Sequence, residues 1–427
     1  VPRPWPAATP HRAAPGDRLS LRILLGVVEA TLQPQVLSSA KALKDQVSSV
    51  KEALHQAMGG AQPADLGAVA AGLSGSPAKV DLAALAERVR PGFGQGLVDA
   101  DRLRDVAQAG HRIESLVERL RSGPQGLGRS RYGVVVAQSA ALRWAAAFPD
   151  NPFTVPVQIV PGAHVAQVAR GLALAWCDRA VQVARLVRWA KALVDSPREA
   201  ADVAARPLHW ADLDAAERRL CPPVLLVGEA AALEGEALGE LAALLAADLP
   251  IRIVILDNLD PAADCARELE LLSMASDRAF LVQTSPSHPE HMVPAVQAAL
   301  RHHGPAVIRM PTLRPDAHGF GRDAALAMSG RAVDRRVFPL LRYDPHQAGV
   351  FGTRLSLEGN REPAATWPHD DAGAVLDVIG WAAPQERSPP SSRPTARAWP
   401  PSPTATWRPS PTRGPTPGAP CRSWPAS

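Results

Sequence analysis

Apolar and polar positions along this chain follow two regimes, and the change comes near residue 130. Before it, apolar residues recur at three and four. Leu19–Leu32 predicts an apolar helix that stops near Pro34, because proline removes a backbone donor and clashes with the preceding turn. Val36, Ala40, Leu43, Val47, Val50, Leu54 and Ala57 then mark one face of an amphipathic helix ended by Gly59-Gly60. The pattern lasts about three heptads, which suits a helix packed on its own domain better than a coiled-coil seam. Ala61–Lys79 is rich in Gly, Ser and Pro and predicts a linker. Val80–Val89 and Asp99–Leu120 are further predicted helices, and the breaker cluster Gly123–Gly128 marks a domain boundary.

From Arg131 onward, β-branched runs alternate with helical stretches. Tyr132–Ala137, Phe153–Val160, Val224–Val227, Ile251–Leu256, Ala279–Thr284 and Ala306–Met310 predict strands. Gln138–Phe148, Ala163–Val194, Leu233–Ala247, Pro261–Ala275 and Pro289–His302 predict the helices between them. Asp195–Leu220 predicts a polar connection with one short helix, Asp212–Arg219. Repeated strand–helix alternation implies an α/β fold, a mostly parallel open sheet with helices on both faces. The expected organisation is a leader at 1–17, a smaller all-helical region at 18–122, the α/β domain at 130–312, a C-terminal arm at 313–383 with one last helix at Ala374–Trp381, and a disordered tail at 384–427.

Composition adjusts this picture only in places. At 46% hydrophobic and 4% aromatic, the chain can bury a core built mainly from aliphatic side chains. The formal charge of +4 suggests a basic protein, but Arg393, Arg397, Arg408, Arg413 and Arg422 all follow Ser388, where no acid occurs. The remainder is close to neutral and carries no basic stripe, so a nucleic-acid partner is not expected. That Pro-, Ser-, Thr- and Arg-rich tail suits either a ligand for a proline-binding module or, as the abrupt loss of aliphatic and acidic residues favours, a non-native reading of the coding sequence. Cys177, Cys221, Cys265 and Cys421 form no CxxC pair, which argues against zinc, an iron–sulfur cluster and a disulfide framework, and fits a reducing cytoplasm. No apolar run reaches membrane-spanning length, and no signal-peptide pattern opens the chain. It begins with Val, which suits a fragment of a longer polypeptide.

The stretch Cys221–Asn258 is the best candidate for chemistry. It predicts strand, helix, strand, and ligands of open parallel sheets lie beyond the carboxyl ends of the strands. Gly228, Glu229 and Ala230 end the first strand; Asp257 and Asn258 end the second. Glu229 and Asn258 are candidate metal ligands or, more plainly, caps of the following helices. Gly228 would let backbone N–H groups approach a diphosphate, or is an ordinary turn glycine.

This stretch resembles the thiamine-diphosphate domain of the pyruvate:ferredoxin (flavodoxin) oxidoreductases. There Gly-Asp-Gly ends one strand, and an Asn or Thr after the next strand completes the Mg²⁺ site that grips the diphosphate. A second similar block is Ala279–Val282, Pro289–His302 and Gly304-Pro305-Ala306-Val307-Ile308. The most specific is Val337-Phe338-Pro339-Leu340-Leu341-Arg342-Tyr343-Asp344-Pro345, similar to the family's "WPLFRYDP" segment. The resemblance covers about residues 220–360, and 130–200 more weakly. It implies a thiamine-diphosphate-binding fold, with thiamine diphosphate held by Gly228, Glu229, Ala230, Asp257 and Asn258, and Mg²⁺ by Glu229 and Asn258. It further implies oxidative decarboxylation of pyruvate or a related 2-oxoacid, with coenzyme A and ferredoxin or flavodoxin as partners, within a homo-oligomer or larger polypeptide. The chain departs from the pattern. Glu229 is one methylene longer than Asp at a metal that demands strict geometry, and Ala230 adds a Cβ. Leu259-Asp260-Pro261 stands where the family has a glycine-rich loop. No iron–sulfur cysteines and no pyrimidine-binding carboxylate are visible. The isolated chain is therefore expected to be inactive, with the cofactor weakly held or lost, and the alternative is an inert scaffold derived from the family.

Other candidates have plainer readings. Ser287 or His288 suits a helix N-cap before Pro289 and Glu290, His302-His303 a helix C-terminus favoured by the dipole, and His318-Gly319-Phe320-Gly321 a turn. Arg342 and Asp344 suit a fixing ion pair. No Ser–His–Asp set and no phosphate-cradling loop of the P-loop type is present.

Overall fold

The computed structural model describes residues 15–57, 79–81, 97–122, 130–139, 142–146, 151–235, 237–259 and 268–362, with residues 369, 373, 375 and 377 besides. The helices are α1 Pro15–Ala57, α2 Ala100–Arg121, α3 Val165–Asp195, α4 Pro197–Ala205, α5 Ala215–Arg218, α6 Ala230–Leu233, α7 Leu238–Ala246, α8 Glu268–Ala275, α9 Pro289–Arg301, α10 Pro315–His318, α11 Ala325–Asp334 and α12 Phe351–Arg354. The strands β1 Lys79–Asp81 and β2 Leu97–Asp99 form an antiparallel ribbon. The others build one eight-stranded sheet: β3 Gly133–Gln138, β4 Val157–Pro161, β5 Val224–Glu229, β6 Ile251–Asp257, β7 Phe280–Gln283, β8 Ala306–Pro311, β9 Leu341–Tyr343 and β10 Leu355–Ser356.

The sheet order is β10-β9-β7-β8-β6-β5-β3-β4. The six strands from β3 to β8 are parallel, and β9 and β10 add antiparallel at one edge. Parallel strands covered on both faces read as continuous apolar runs, and β5, β6 and β8 are buried almost throughout. On one face α3, α6 and α7 pack on Val135, Leu226, Ile253, Ile255 and Val307. On the other, the first half of α1, the Leu142–Ala145 turn and α9 pack on Val136, Leu225, Val227, Val254 and Ile308. The chain is thus an α/β fold with helices on both faces of a mostly parallel sheet. The connection after β3 runs on the α1 face and the one after β5 on the α3 face. Neighbouring strands whose connections diverge leave a crevice at their carboxyl ends.

Several expectations change. α1 is one helix of 43 residues that passes through Pro34. Leu21–Leu32 pack on the sheet, while Ala40–Leu54 pack on α2 and the end of α3, and burial on both sides outweighs the hydrogen bond lost at proline. α1 therefore supplies a layer of the α/β unit as well as the helical region. At Val80, β1 replaces the start of a predicted helix. The single helix expected over Leu233–Ala247 is split into α6 and α7. Gln138–Phe148 holds a single 3-10 turn, Arg143–Ala146, among its described residues. The linker 61–78, most of 1–17 and the tail 384–427 lie outside the described residues, as does the helix expected over 374–381 except for Val375, which bridges His369, and Asp377.

Candidate functional site

The tips of β5 and β6 lie side by side. Glu229 is in register with Leu256, and Asp257 with Pro311 of β8. Successive side chains on a strand leave on opposite faces, and this alternation divides the five expected site residues into separate environments.

Asp257 turns toward the α3 face and enters a buried charge cluster. Its Oδ2 accepts from Arg309 Nη1 at 2.6 Å. Arg309, in the middle of β8, is fully buried and also pairs with Glu234, at the end of α6, and Glu270, in α8, whose Oε2 accepts from Arg309 Nη2 at 3.1 Å. One guanidinium therefore faces three carboxylates, all with side chains 8% exposed or less. The carboxylates, led by Glu270 and Asp257, hold the Arg309 pKa above its ordinary value against the opposing effect of burial. Burial raises the Glu234 pKa to about 7; Glu270 and Asp257 add to the rise, and Arg309 opposes it. The other Asp257 oxygen accepts from the Leu259 N–H at 2.8 Å. That contact holds Leu259 at φ 51°, a left-handed conformation that costs an L-residue about 1–2 kcal/mol.

Glu229 and Asn258 meet a different cation. Arg314 Nη1 lies 3.5 Å from Glu229 Oε1, and the Arg314 backbone N–H donates to Asn258 Oδ1 at 2.8 Å. His318 Nε2 donates to the Asn258 carbonyl at 2.6 Å. Arg314 immediately precedes α10, and Gly319 closes that helix at φ 68°. The buried Asn258 Nδ2 has no hydrogen-bond partner; as a donor it has nothing to offer a metal ion. The two expected Mg²⁺ ligands thus both meet Arg314, Glu229 through its guanidinium and Asn258 through its backbone N–H. Among the described residues no group of three or more His, Cys, Asp or Glu side chains is arranged to hold a metal.

Gly228 has a packing reason to be glycine. A Cβ there would fall 2.7 Å from Leu233 Cγ and 3.0 Å from the Ala137 Cβ, so its open space is filled by α6 and β3. Ala230 opens α6, a helix of four residues, and is buried. Gly228→Ala is expected to cost about 1–3 kcal/mol through overpacking, measured by urea unfolding. An unchanged midpoint would mean that Leu233 moves aside freely.

Elsewhere, His288 is the N-cap of α9, with Pro289 at its first position and Glu290 in its first turn. Ser287 Oγ lies 3.0 Å from the His288 Nδ1. His302 is at the C-cap, but burial, and then Arg252, push its pKa down to about 4; desolvation outweighs the helix dipole that would favour the imidazolium. Arg342 and Asp344 form no ion pair. β9 ends at Tyr343, and Asp344 instead accepts from the His346 N–H at 2.9 Å. Tyr343 is fully buried and Phe338 and Leu340 seed a small core.

The sequence reading missed Arg309, Glu234, Glu270 and Arg314. A signal existed for the first. A charged residue inside an otherwise apolar buried strand must find partners, and both Arg252 in β6 and Arg309 in β8 interrupt such runs. No helix among the described residues is long and apolar enough to cross a membrane. Comparison of the chain with models of known protein families and with curated proteins gave no match.

Proposed function

We propose that this chain is a cofactor-free domain related to the thiamine-diphosphate fold of the 2-oxoacid:ferredoxin (flavodoxin) oxidoreductases, serving as a structural element rather than as the seat of catalysis. The observation that carries this reading is Arg314 against Glu229 and Asn258. In this reading, a positive charge that a metal would supply is supplied by the protein, and the crevice is closed by its own ion pair. Glu229 and Arg314 are both partly exposed, so their attraction is screened and contributes little stability. Its consequence is exclusion: a divalent cation would meet a fixed like charge. Gly228 supports the same reading, because the space beside its Cα is taken by the Leu233 and Ala137 side chains.

Calorimetric titration of the chain with thiamine diphosphate and Mg²⁺ tests this. No heat is expected at millimolar ligand. Micromolar binding that disappears in Asn258→Ala would overturn the proposal. It would restore the oxidoreductase reading, in which Glu229 and Asn258 hold Mg²⁺, and a 2-oxoacid, coenzyme A and ferredoxin or flavodoxin are partners of the parent enzyme.

A further inference from the structure

A cavity of about 520 Å³ opens at the amino ends of the strands. It lies at the opposite end of the strands from the tips of β5 and β6, roughly 20 Å away along a six-residue strand. Pro223 and Pro250, just before β5 and β6, line it together with the middle of α1, the second half of α3 and the end of α9. One wall is apolar, formed by Leu32, Val36, Leu43, Leu120 and Val187. The other carries Arg131, Arg218, Arg219, Arg252, Arg301 and His303.

These cations are poorly balanced. The one acid lining the cavity is Glu217, and both its carboxylate oxygens are held by Arg188 at 2.6 Å. Arg131 pairs with Glu29 at 2.7 Å, and Arg218 is held by Asp248 at 3.2 Å, by the Leu213 and Ala211 carbonyls and over the Trp210 ring. Arg219 and Arg301 are exposed, with no ion-pair partner among the described residues. Arg252 is 1% exposed and has no carboxylate partner among the described residues; its Nη atoms donate to backbone carbonyls, including Gly304 O at 2.7 Å and Leu300 O at 3.3 Å. Like charges converging in a walled recess repel through a medium that screens less than bulk water, and an anion relieves that repulsion. The field is felt locally: burial first, and then Arg218, Arg219 and Arg252, hold the His303 pKa below its ordinary value.

We infer that this cavity binds a small organic polyphosphate, its phosphates held by Arg219 and Arg301 and its apolar body laid against α1, α2 and α3. The volume suits such a ligand, since small-molecule pockets span about 300–1,000 Å³. Guanidinium groups match phosphate oxygens in geometry as well as charge. A long nucleic acid fits less well, because the cations face a recess between helices and not an open stripe.

The test is calorimetric titration of the full chain with inorganic pyrophosphate, without Mg²⁺ and at low ionic strength. Wild type is expected to bind with a sub-millimolar dissociation constant. The double variant Arg219→Ala/Arg301→Ala should bind about tenfold more weakly or worse, and Arg219→Lys/Arg301→Lys should recover part of the loss. Both side chains are exposed, with no ion-pair partner among the described residues, so the fold should hold, as near-ultraviolet circular dichroism would verify. Asn258→Ala, at the far end of the sheet, should change nothing, which separates this site from the thiamine diphosphate question. The tail arginines are common to all variants, so the difference between variants reports the cavity. Equal binding by wild type and the double Ala variant would overturn the inference. So would absence of heat at millimolar pyrophosphate, or tight binding of a single-stranded oligonucleotide with none of pyrophosphate.

Discussion

Arg309→Met is expected to lower the stability of the chain by about 3–5 kcal/mol at pH 8, one of the largest effects of any single substitution here. Arg309 is the cation that Asp257, Glu234 and Glu270 share. Removing it leaves three buried carboxyl groups with no positive charge between them, and an unbalanced buried charge costs far more than the ion pair itself contributes. Met fills similar volume, so the loss reports charge and not a cavity. The loss should shrink toward pH 5, where Glu234, its pKa raised chiefly by burial to about 7, takes up a proton. Urea unfolding at both pH values checks this. A loss below about 1 kcal/mol at pH 8 would be that of a solvated surface pair, and would mean that the cluster is not dry.

Glu234→Gln is expected to act in the opposite sense, stabilising the chain by about 1–3 kcal/mol at pH 8 and leaving it unchanged below about pH 4. Three carboxylates and one guanidinium leave an excess of negative charge in a dry space, and the Glu234 pKa, raised chiefly by burial to about 7, expresses it. A carboxyl group whose folded pKa lies above its ordinary 4.5 favours folding in its protonated form. The contribution is complete below the ordinary value and is lost as pH rises through about 7. Gln mimics the protonated acid at every pH and keeps an oxygen for Arg309. Its benefit therefore appears only where Glu234 would be ionised. A variant less stable than wild type at pH 8 would show that the attraction between Arg309 and Glu234 outweighs the crowding of the three acids.

Much of the architecture was readable before any coordinates. Val224–Val227 and Ile251–Leu256 are apolar without alternation, and only strands covered on both faces need that pattern. The helices α2, α3 and α9 were visible from apolar residues at three and four. Local periodicity could not place α1. Pro34 signals a stop by its own chemistry, yet the halves on either side bury against different partners and keep one axis. Nor could spacing join Arg314 to Glu229, 85 residues apart, or Arg309 to Glu234, 75 residues apart.

By itself the sequence determined the class of fold, the six parallel strands and the two strand tips, Gly228–Ala230 and Asp257–Asn258, that lie side by side. Only the tertiary structure decided that Asp257 belongs to a buried arginine cluster, that Glu229 and Asn258 face Arg314, and that the cationic cavity lies at the amino ends of the strands. The reason is physical. Apolar periodicity records how each segment faces its own surroundings, whereas the partner of a charge is set by whichever distant segment packing brings within a few ångströms.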